Sequence, residues 1–385
     1  MTVSEKPVCD ENVKEKVREI FDYLHTHAEV SMKETGTTAF IKKQLNELGC
    51  RTRTFPDIPG VIGEIGTGHP IVAVRADMDA LWQEIGGKFR ANHSCGHDAH
   101  MSMVLGTVMV LTKMKNLPCG TVRFVFQPAE ETGQGAKLLA ARGIMRDADY
   151  LYGVHLRPIE EIPDGRAEPA IFHGATKTIA GVIHGEDAHA ARPHLGKNAI
   201  EAAASIVSEL NHIHINPMIP CTIKMTTLQA GGSTNIIPGY ATFTLDARAQ
   251  TDEAMAELID QTKRVVRSVA DSYAIHIDLN ILNGSASAQY APEAIQIMAD
   301  SIKDVLGETC LEQPHRSSGG DDFHQYALHQ PNLKTTMLGL GCDLKPGLHH
   351  PKMTFNREAM FSGISILTAA VLRTLKKTES ALTDP

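Results

Sequence analysis

Two stretches decide the fold: Pro70–Leu81, PIVAVRADMDAL, and Asn92–His100, NHSCGHDAH. In the first, a strand-forming apolar run, Ile71 to Arg75, breaks off into the carboxylates Asp77 and Asp79. In the second, Cys95, His97, Asp98 and His100 crowd together just ahead of Met101–Met114, which is apolar on most faces, as expected of a helix packed beneath a sheet. A strand that ends in polar groups and hands over to a buried helix is the start of an α/β layer. Working outward, the same event recurs. GTVRFVFQPAEE (120–131) sets Glu130 and Glu131 after a strand, DYLYGVHL (149–156) ends one at His155, and TTMLGLGCDLKPGLHHP (335–351) ends another near His349 and His350. In open α/β sheets ligands bind outside the carboxyl ends of the strands, so these groups are expected to converge in one crevice.

The rest of the chain fits around this layer. Residues 11–49 read as two amphipathic helices, with Val17, Ile20, Phe21 and Leu24, then Phe40, Ile41, Leu45 and Leu48, at helical spacing and Gly49 as the stop. Short β-rich runs follow at Gly60–Ile65, Ile71–Arg75, Thr121–Phe126 and Tyr150–Val154, and Ala136–Arg142 leads a further helix. From about Lys177 to Leu282 the rhythm changes to strand, helix, strand, strand, helix, strand, a small ferredoxin-like α+β unit complete in itself. The α/β pattern then resumes with a helix at Pro292–Leu306, a strand at Lys334–Leu340 and a helix from Asn356 to Lys376. The expected fold is therefore α/β: a mostly parallel-sheet domain, 1–176 and 289–385, with a smaller α+β domain, 177–288, inserted into it. A chain of 385 residues suits two domains, since single cores stop growing near ~250–300 residues.

Composition excludes several classes of function. Hydrophobic content of 42% and charged content of 21% are those of a globular protein. No apolar run reaches the ~18 residues needed to cross a bilayer, and the polar start MTVSEKPVCDENVKEK lacks the apolar stretch of a secretory signal. The expectation is a cytoplasmic protein without a membrane partner. A net charge of −8 without a basic stripe argues against nucleic acid and leaves a small molecule as the substrate. Seven scattered Cys do not make a disulfide framework, whereas 19 His is an unusual count of the commonest metal ligand.

Singly, each motif has an ordinary structural explanation: a solvated Glu pair, a satisfied histidine, an Asp at a turn. Jointly, at the ends of separate strands, they point to metal. Borderline-soft divalent ions accept thiolate, imidazole and carboxylate together, whereas magnesium and calcium sites are built mainly from oxygen. Cys95, His97, Glu131, His155 and a histidine of the 349–350 pair are too many ligands for one tetrahedral ion that must also hold water. Two divalent ions sharing a bridging group about 3.5–4 Å apart fit better, and such pairs activate a water and polarise a carbonyl. Of the adjacent carboxylates, Glu131 is assigned to metal and Glu130 to the proton, as general base.

At this point the chain resembles the dinuclear metallopeptidase and amidohydrolase family that includes N-acyl-L-amino acid amidohydrolases, hippurate hydrolases and indole-acetyl amino acid hydrolases. The resemblance covers nearly the whole chain and rests on LHTHAE, RADMDAL, CGHDAH, QPAEE, GVHL, HAARPHLGKNAI, GGSTNIIP, GGDDF and LHHPKMTF in that order. It implies Cys95 as a bridging thiolate, His97, Glu131, His155 and His349 as the remaining ligands of two divalent ions (manganese, zinc or nickel), Glu130 as the base, and Asp79 as a carboxylate that orients ligating histidines. His349 rather than His350 falls on the family's Leu-His-x-Pro ligand. In the inserted domain, which the resemblance makes a lid and dimerisation domain, His189 corresponds to a histidine that stabilises the developing oxyanion, supplied in related dimers by the partner subunit. Asn235 and Arg248 resemble residues that hold the substrate's free carboxylate.

Three departures stand out. The usual His-Pro-Glu reads His27-Ala28-Glu29, LDARAQ replaces Gly-Thr before Arg248, and Asp321 in GGDDF stands where a Glu is common, one methylene shorter. The function implied is hydrolysis of an N-acyl-L-amino acid by metal-activated water, in a homodimer or higher homo-oligomer. A dipeptidase or carboxypeptidase with the same metals would need a pocket for a free amino terminus or a longer acyl side, which no sequence feature demands. A metal- or ligand-binding module without catalysis would be favoured only if Glu130 were absent.

Overall fold

The computed structural model describes residues 9–282 and 284–383. Residues 1–8 and 384–385, which the sequence places in the larger domain, and Asn283, placed in the smaller, lie outside the described residues. The chain opens with helices α1 (Glu11–Thr26) and α2 (Thr35–Glu47). The Asp10 side chain caps α1 by accepting from the Val13 N–H at 2.9 Å, satisfying a donor that a helix start leaves free. Strands β1 (Arg51–Thr54), β2 (Val61–Thr67) and β3 (Ile71–Asp77) follow, then α3 (His97–Thr112), β4 (Gly120–Gln127), α4 (Gly135–Ala141), β5 (Tyr150–Pro158) and β6 (Ala167–Glu168). Next come β7 (Ala175–His184), α5 (Ala199–Leu210), β8 (Cys221–Ala230), β9 (Tyr240–Ala249), α6 (Asp252–Tyr273) and β10 (His276–Ile281). The chain closes with α7 (Pro292–Leu306), β11 (Lys334–Leu344) and α8 (Ala359–Thr383).

The main sheet has seven strands in the order β1-β2-β4-β3-β5-β11-β6. Its centre, β4-β3-β5-β11, is parallel; β1 and β2 are antiparallel at one edge and β6 at the other. Every residue of β3 and β4 is buried. Burial on both faces is what turns a parallel strand's sequence into an unbroken apolar run. On one face α1, α3, α7 and α8 pack a core containing Phe21, Val104, Phe124, Tyr152 and Leu367; on the other lie Leu139, Leu151, Phe323, Tyr326 and Met337. α3 is buried from His97 to Leu111, and its all-round apolar sequence follows from that. Within α8, Ala359–Lys377 is long and apolar enough by length and composition to cross a bilayer, a stretch the sequence reading passed over because polar residues interrupt it; 72% of it is buried inside the protein.

β7 to β10 form a separate four-stranded antiparallel sheet in the order β8-β9-β7-β10. Its core of Ile179, Ile183, Ile206, Phe243, Leu245, Leu258 and Val266 lies under α5 and α6. The chain therefore forms two compact units. One comprises the residues up to Ile171, Gln289–His315 and those from Asp322 onward; the other comprises Phe172–Ala288 and Arg316–Asp321. The second unit thus begins a few residues before 177 and takes in a short segment that sequence periodicity could not place. That segment is held by the Gly174 N–H, which donates to the carbonyls of Ser317 and Gly319 at 3.0 and 3.1 Å. The sequence reading also missed a hairpin, Leu81–Ile85 paired with Lys88–Asn92. Gly86 and Gly87 turn it with φ of 63° and 82°, the double positive φ of a two-residue hairpin turn.

Candidate metal centre

Three loops, after β3, β4 and β11, and the strand β5 build the site, and each loop has a local reason for its path. Gly96 turns the chain between Cys95 and His97 with φ +86°, and a Cβ there would lie 2.9 Å from Leu156 Cδ1, so only glycine fits. After β4 the chain turns through Ala129 at φ 55°. The buried Glu34 carboxylate accepts the Ala129 N–H at 2.8 Å. The two oxygens of Asp79 accept the N–H groups of Glu130 and Glu131 at 3.1 and 3.0 Å. β5 does not end at His155, as the sequence suggested, but runs on to Pro158 and carries the ring within the strand, while His349 sits in the loop after β11 with φ 62°.

These turns bring the side chains together. Cys95 Sγ lies 3.6 Å from His155 Nε2. His97 Nε2 is 3.9 Å from Glu131 Oε1 and 4.0 Å from Glu130 Oε2, and His349 Nε2 is 3.4 Å from Glu131 Oε2. Donor atoms of Cys95, His97 and His155 all lie within 4.8 Å of one another, as do those of Cys95, Glu131 and His349. Cys95 belongs to both triads. Backbone carbonyls fix the ring orientations: His97 Nδ1 meets Asp79 O at 2.8 Å and His155 Nδ1 meets Leu156 O at 2.7 Å, so each presents Nε2 inward. Asp79 Oδ1 also stands 3.4 Å from His97 Nδ1. His350 turns away and accepts the Lys352 N–H at 3.1 Å through Nδ1.

Whether these residues suit an ion can be judged from their unmet bonding. His97 Nε2 and Glu131 Oε1 are buried without a hydrogen-bond partner. Leaving such atoms unsatisfied costs roughly 1–3 kcal/mol each, and a cation would satisfy both. Thiolate, imidazole and carboxylate donors around them match a borderline-soft divalent ion. Burial pushes the Cys95 thiol well above its ordinary value, and the Glu131 charge adds to it. Burial likewise pushes Glu131 up to about 7, against the pull of His97 and with Asp79 and Asp77 adding. Burial disfavours the charged form of His97, yet Asp77 and Cys95 outweigh it and hold the ring well above its usual value. An ion bound by these donors would have to displace protons that burial favours on Cys95 and Glu131.

Beneath the site lies a buried network that the motifs did not reveal. Arg75 donates to Asp77 at 2.6 Å, to Asp322 at 3.0 Å and to Gln127 at 3.0 Å. Gln127 in turn donates to Asp322 at 2.7 Å, and Asp77 meets His100 Nδ1 at 2.7 Å. An arginine in the middle of an otherwise apolar strand was the available signal, since a buried charge is tolerated only when paired. The remaining sequence candidates lie on the second unit. His189 pairs with Ile236, and the Ala190 N–H donates to Asn235 O at 2.9 Å, so these two sites adjoin. Arg248 lies near the far end of β9, held by Asp246 at 2.8 Å and Ser318 O at 3.1 Å. Roughly 27 Å of strand, at about 3.4 Å per residue, separates it from Tyr240 at the Asn235 end.

Residues 73–373 match the profile of Peptidase family M20/M25/M40. The Synechocystis sp. protein named "Probable hydrolase sll0100" is 31% identical over 373 residues, covering 91% of this chain and 94% of its own. The N-acetylcysteine deacetylase of Bacillus subtilis is 29% identical, with 92% of this chain and 96% of that protein covered. Among solved structures, a dinuclear metal binding peptidase of the M20 family from Bacillus subtilis matches with a TM-score of 0.81 at 25% identity, over 95% of this chain and 99% of that one.

Proposed function

Because the chain is a hydrolase belonging to peptidase family M20/M25/M40, we propose that it hydrolyses the amide bond of N-acyl-L-amino acids, releasing a carboxylate and the free amino acid. The observation that carries this reading is the membership of Cys95 in two donor triads at once. One thiolate can then serve two ions, with His97 and His155 on one side and Glu131 and His349 on the other. Manganese, zinc and nickel all suit these donors. Bound there, the ions would supply Lewis acidity toward the acyl carbonyl and toward a water.

The chain's own residues supply the proton transfers. Glu130 lies beside Glu131, and its Oε1 is 3.4 Å from the Asp322 N–H. Its carboxylate takes one proton from the water whose oxygen bonds to the acyl carbon, and delivers that proton to the nitrogen as the C–N bond breaks. Asp79 holds the N–H groups of both glutamates and a nitrogen of His97, so it orients base and ligands together. His189 is assigned to the developing oxyanion, and Asn235 and Arg248 to the free carboxylate of the substrate. The separation of Arg248 from the His189–Asn235 end of the sheet supports a homodimer, in which one substrate draws on two copies of the second unit. That unit, residues 177–288 in the main, then serves as lid and dimerisation domain of a cytoplasmic enzyme of small molecules.

The test is a panel of N-acetyl and N-benzoyl L-amino acids, incubated with the protein and manganese, zinc or nickel, with release of free amine measured. The reading predicts release that chelation abolishes and added ion restores. Cleavage confined to dipeptides with a free amino terminus would make the protein a dipeptidase instead. Ion binding without cleavage of any substrate would make it a binding protein.

A further inference from the structure

His349 is the one candidate ligand that packing does not hold, since 53% of its side chain is exposed. Its backbone lies at φ 62°, a region that a residue with a Cβ enters only when its surroundings compel it. Two hydrogen bonds compel it here: its N–H donates to Ser94 O at 2.7 Å, and its carbonyl accepts from Gln83 Nε2 at 2.7 Å. Gln83 belongs to the hairpin that follows β3. Its Oε1 accepts from Ser94 Oγ at 2.9 Å and from Asn92 Nδ2 at 3.0 Å, and Asn92 Nδ2 also reaches Pro351 O at 3.3 Å. Both lone pairs of the Gln83 oxygen are thus engaged while its amide points at His349, which leaves one sensible orientation for the group.

We infer that Gln83 is a positioning residue for the candidate metal centre: its amide ties the His349 carbonyl to Ser94, the neighbour of Cys95, and so sets the separation of two donors that lie far apart in the chain. The inference rests on the reading of His349 as a ligand. The hairpin's other face carries Trp82 and Phe89, both exposed, which the register places opposite Ala91 and Glu84 and away from the face that carries Gln83. The two faces can therefore be altered separately.

The experiment is a calorimetric titration of the full chain with Mn2+ or Zn2+, paired with metal counting after gel filtration. It compares wild type with Gln83→Met, Gln83→Glu, Trp82→Ala and His349→Ala. Methionine matches glutamine in length but cannot bridge. Gln83→Met is expected to weaken one of the two ions by about 10- to 100-fold, the usual cost of losing a group that orients a ligand. The other ion should keep its affinity, and the thermal midpoint of the ion-free protein should stay close to wild type. Gln83→Glu keeps the acceptor but sets a carboxylate against the His349 carbonyl, and should lose at least as much. Trp82→Ala should bind both ions normally. Wild-type affinity for both ions in Gln83→Met, alongside loss of one ion in His349→Ala, would overturn the positioning role and leave the ligand reading intact. Full binding of both ions in His349→Ala would overturn the ligand reading and the inference with it. Equal losses in Trp82→Ala and Gln83→Met would assign the effect to hairpin folding and likewise overturn it.

Discussion

Glu130 and Glu131 are neighbours in the chain, and Asp79 grips the backbone of both, yet their carboxylates have different surroundings. Glu131 has an oxygen buried without a partner, whereas Glu130 lies beside the Asp322 N–H. Glu130→Gln is therefore expected to retain its ions while turnover falls at least ~100-fold, the low end for a lost general base; metal counting and steady-state kinetics on one preparation check it. Cys95→Ala should lose both ions, because Cys95 belongs to both triads, whereas His155→Ala or His349→Ala should each weaken one. The donor types were legible in the sequence because CGHDAH opens a helix, QPAEE and LHHP follow strands, and GVHL lies within one. Side-chain chemistry did not choose between His349 and His350, since both are capable, and only the register of the Leu-His-x-Pro motif favoured His349. Their geometry separates them: one faces Glu131 and the other its own turn. Arg75 and Asp322 went unassigned because a buried pair distant in sequence leaves no periodic trace.

Among elements, the turn that opens α3 is tightly constrained. A methyl group on Gly96 would meet Leu156 at 2.9 Å and would have to adopt φ +86°. Gly96→Ala should destabilise the ion-free protein by at least roughly 1–2 kcal/mol and displace Cys95 relative to His97; urea unfolding and ion counting would show both. Parallel strands and α3 could be read directly because burial on both faces leaves an unbroken apolar record. The ferredoxin-like order of the second unit was legible for the opposite reason: β9 alternates buried and partly exposed residues with the period of a half-covered sheet. The hairpin at 81–92 escaped because its strands are short and none of their residues is buried, and exposed Trp82 and Phe89 disguise a connection as core. Only its glycine pair announced the turn.

At the scale of the whole molecule, each unit has its own core, and the larger is cross-linked by Glu293 of α7. Its carboxylate meets Lys334 of β11 at 2.6 Å, Lys377 of α8 at 2.7 Å and the hydroxyl of Tyr150 in β5 at 2.8 Å. Lys334 first, then Lys377, hold this carboxyl at about 2, below the ~4.3 of an unfolded chain. The contact therefore stabilises fully above pH ~4.3 and is lost as pH falls toward 2. Because 31% of the Glu293 side chain is exposed, screening limits the effect to about 0.2–1 kcal/mol. Glu293→Gln should lower the thermal midpoint slightly at pH 7, with the gap to wild type closing below pH ~4. Ion binding should act in the opposite direction, since an ion held only by the folded state at 100 times its Kd adds about 2.7 kcal/mol. The most direct test of the central claim is one titration of wild-type protein with Mn2+ or Zn2+, following bound ions and amine release from an N-acyl-L-amino acid in the same samples. Release that rises as about two ions bind per chain, and vanishes with chelator, is the predicted result; two ions bound with no release from any N-acyl-L-amino acid would contradict it.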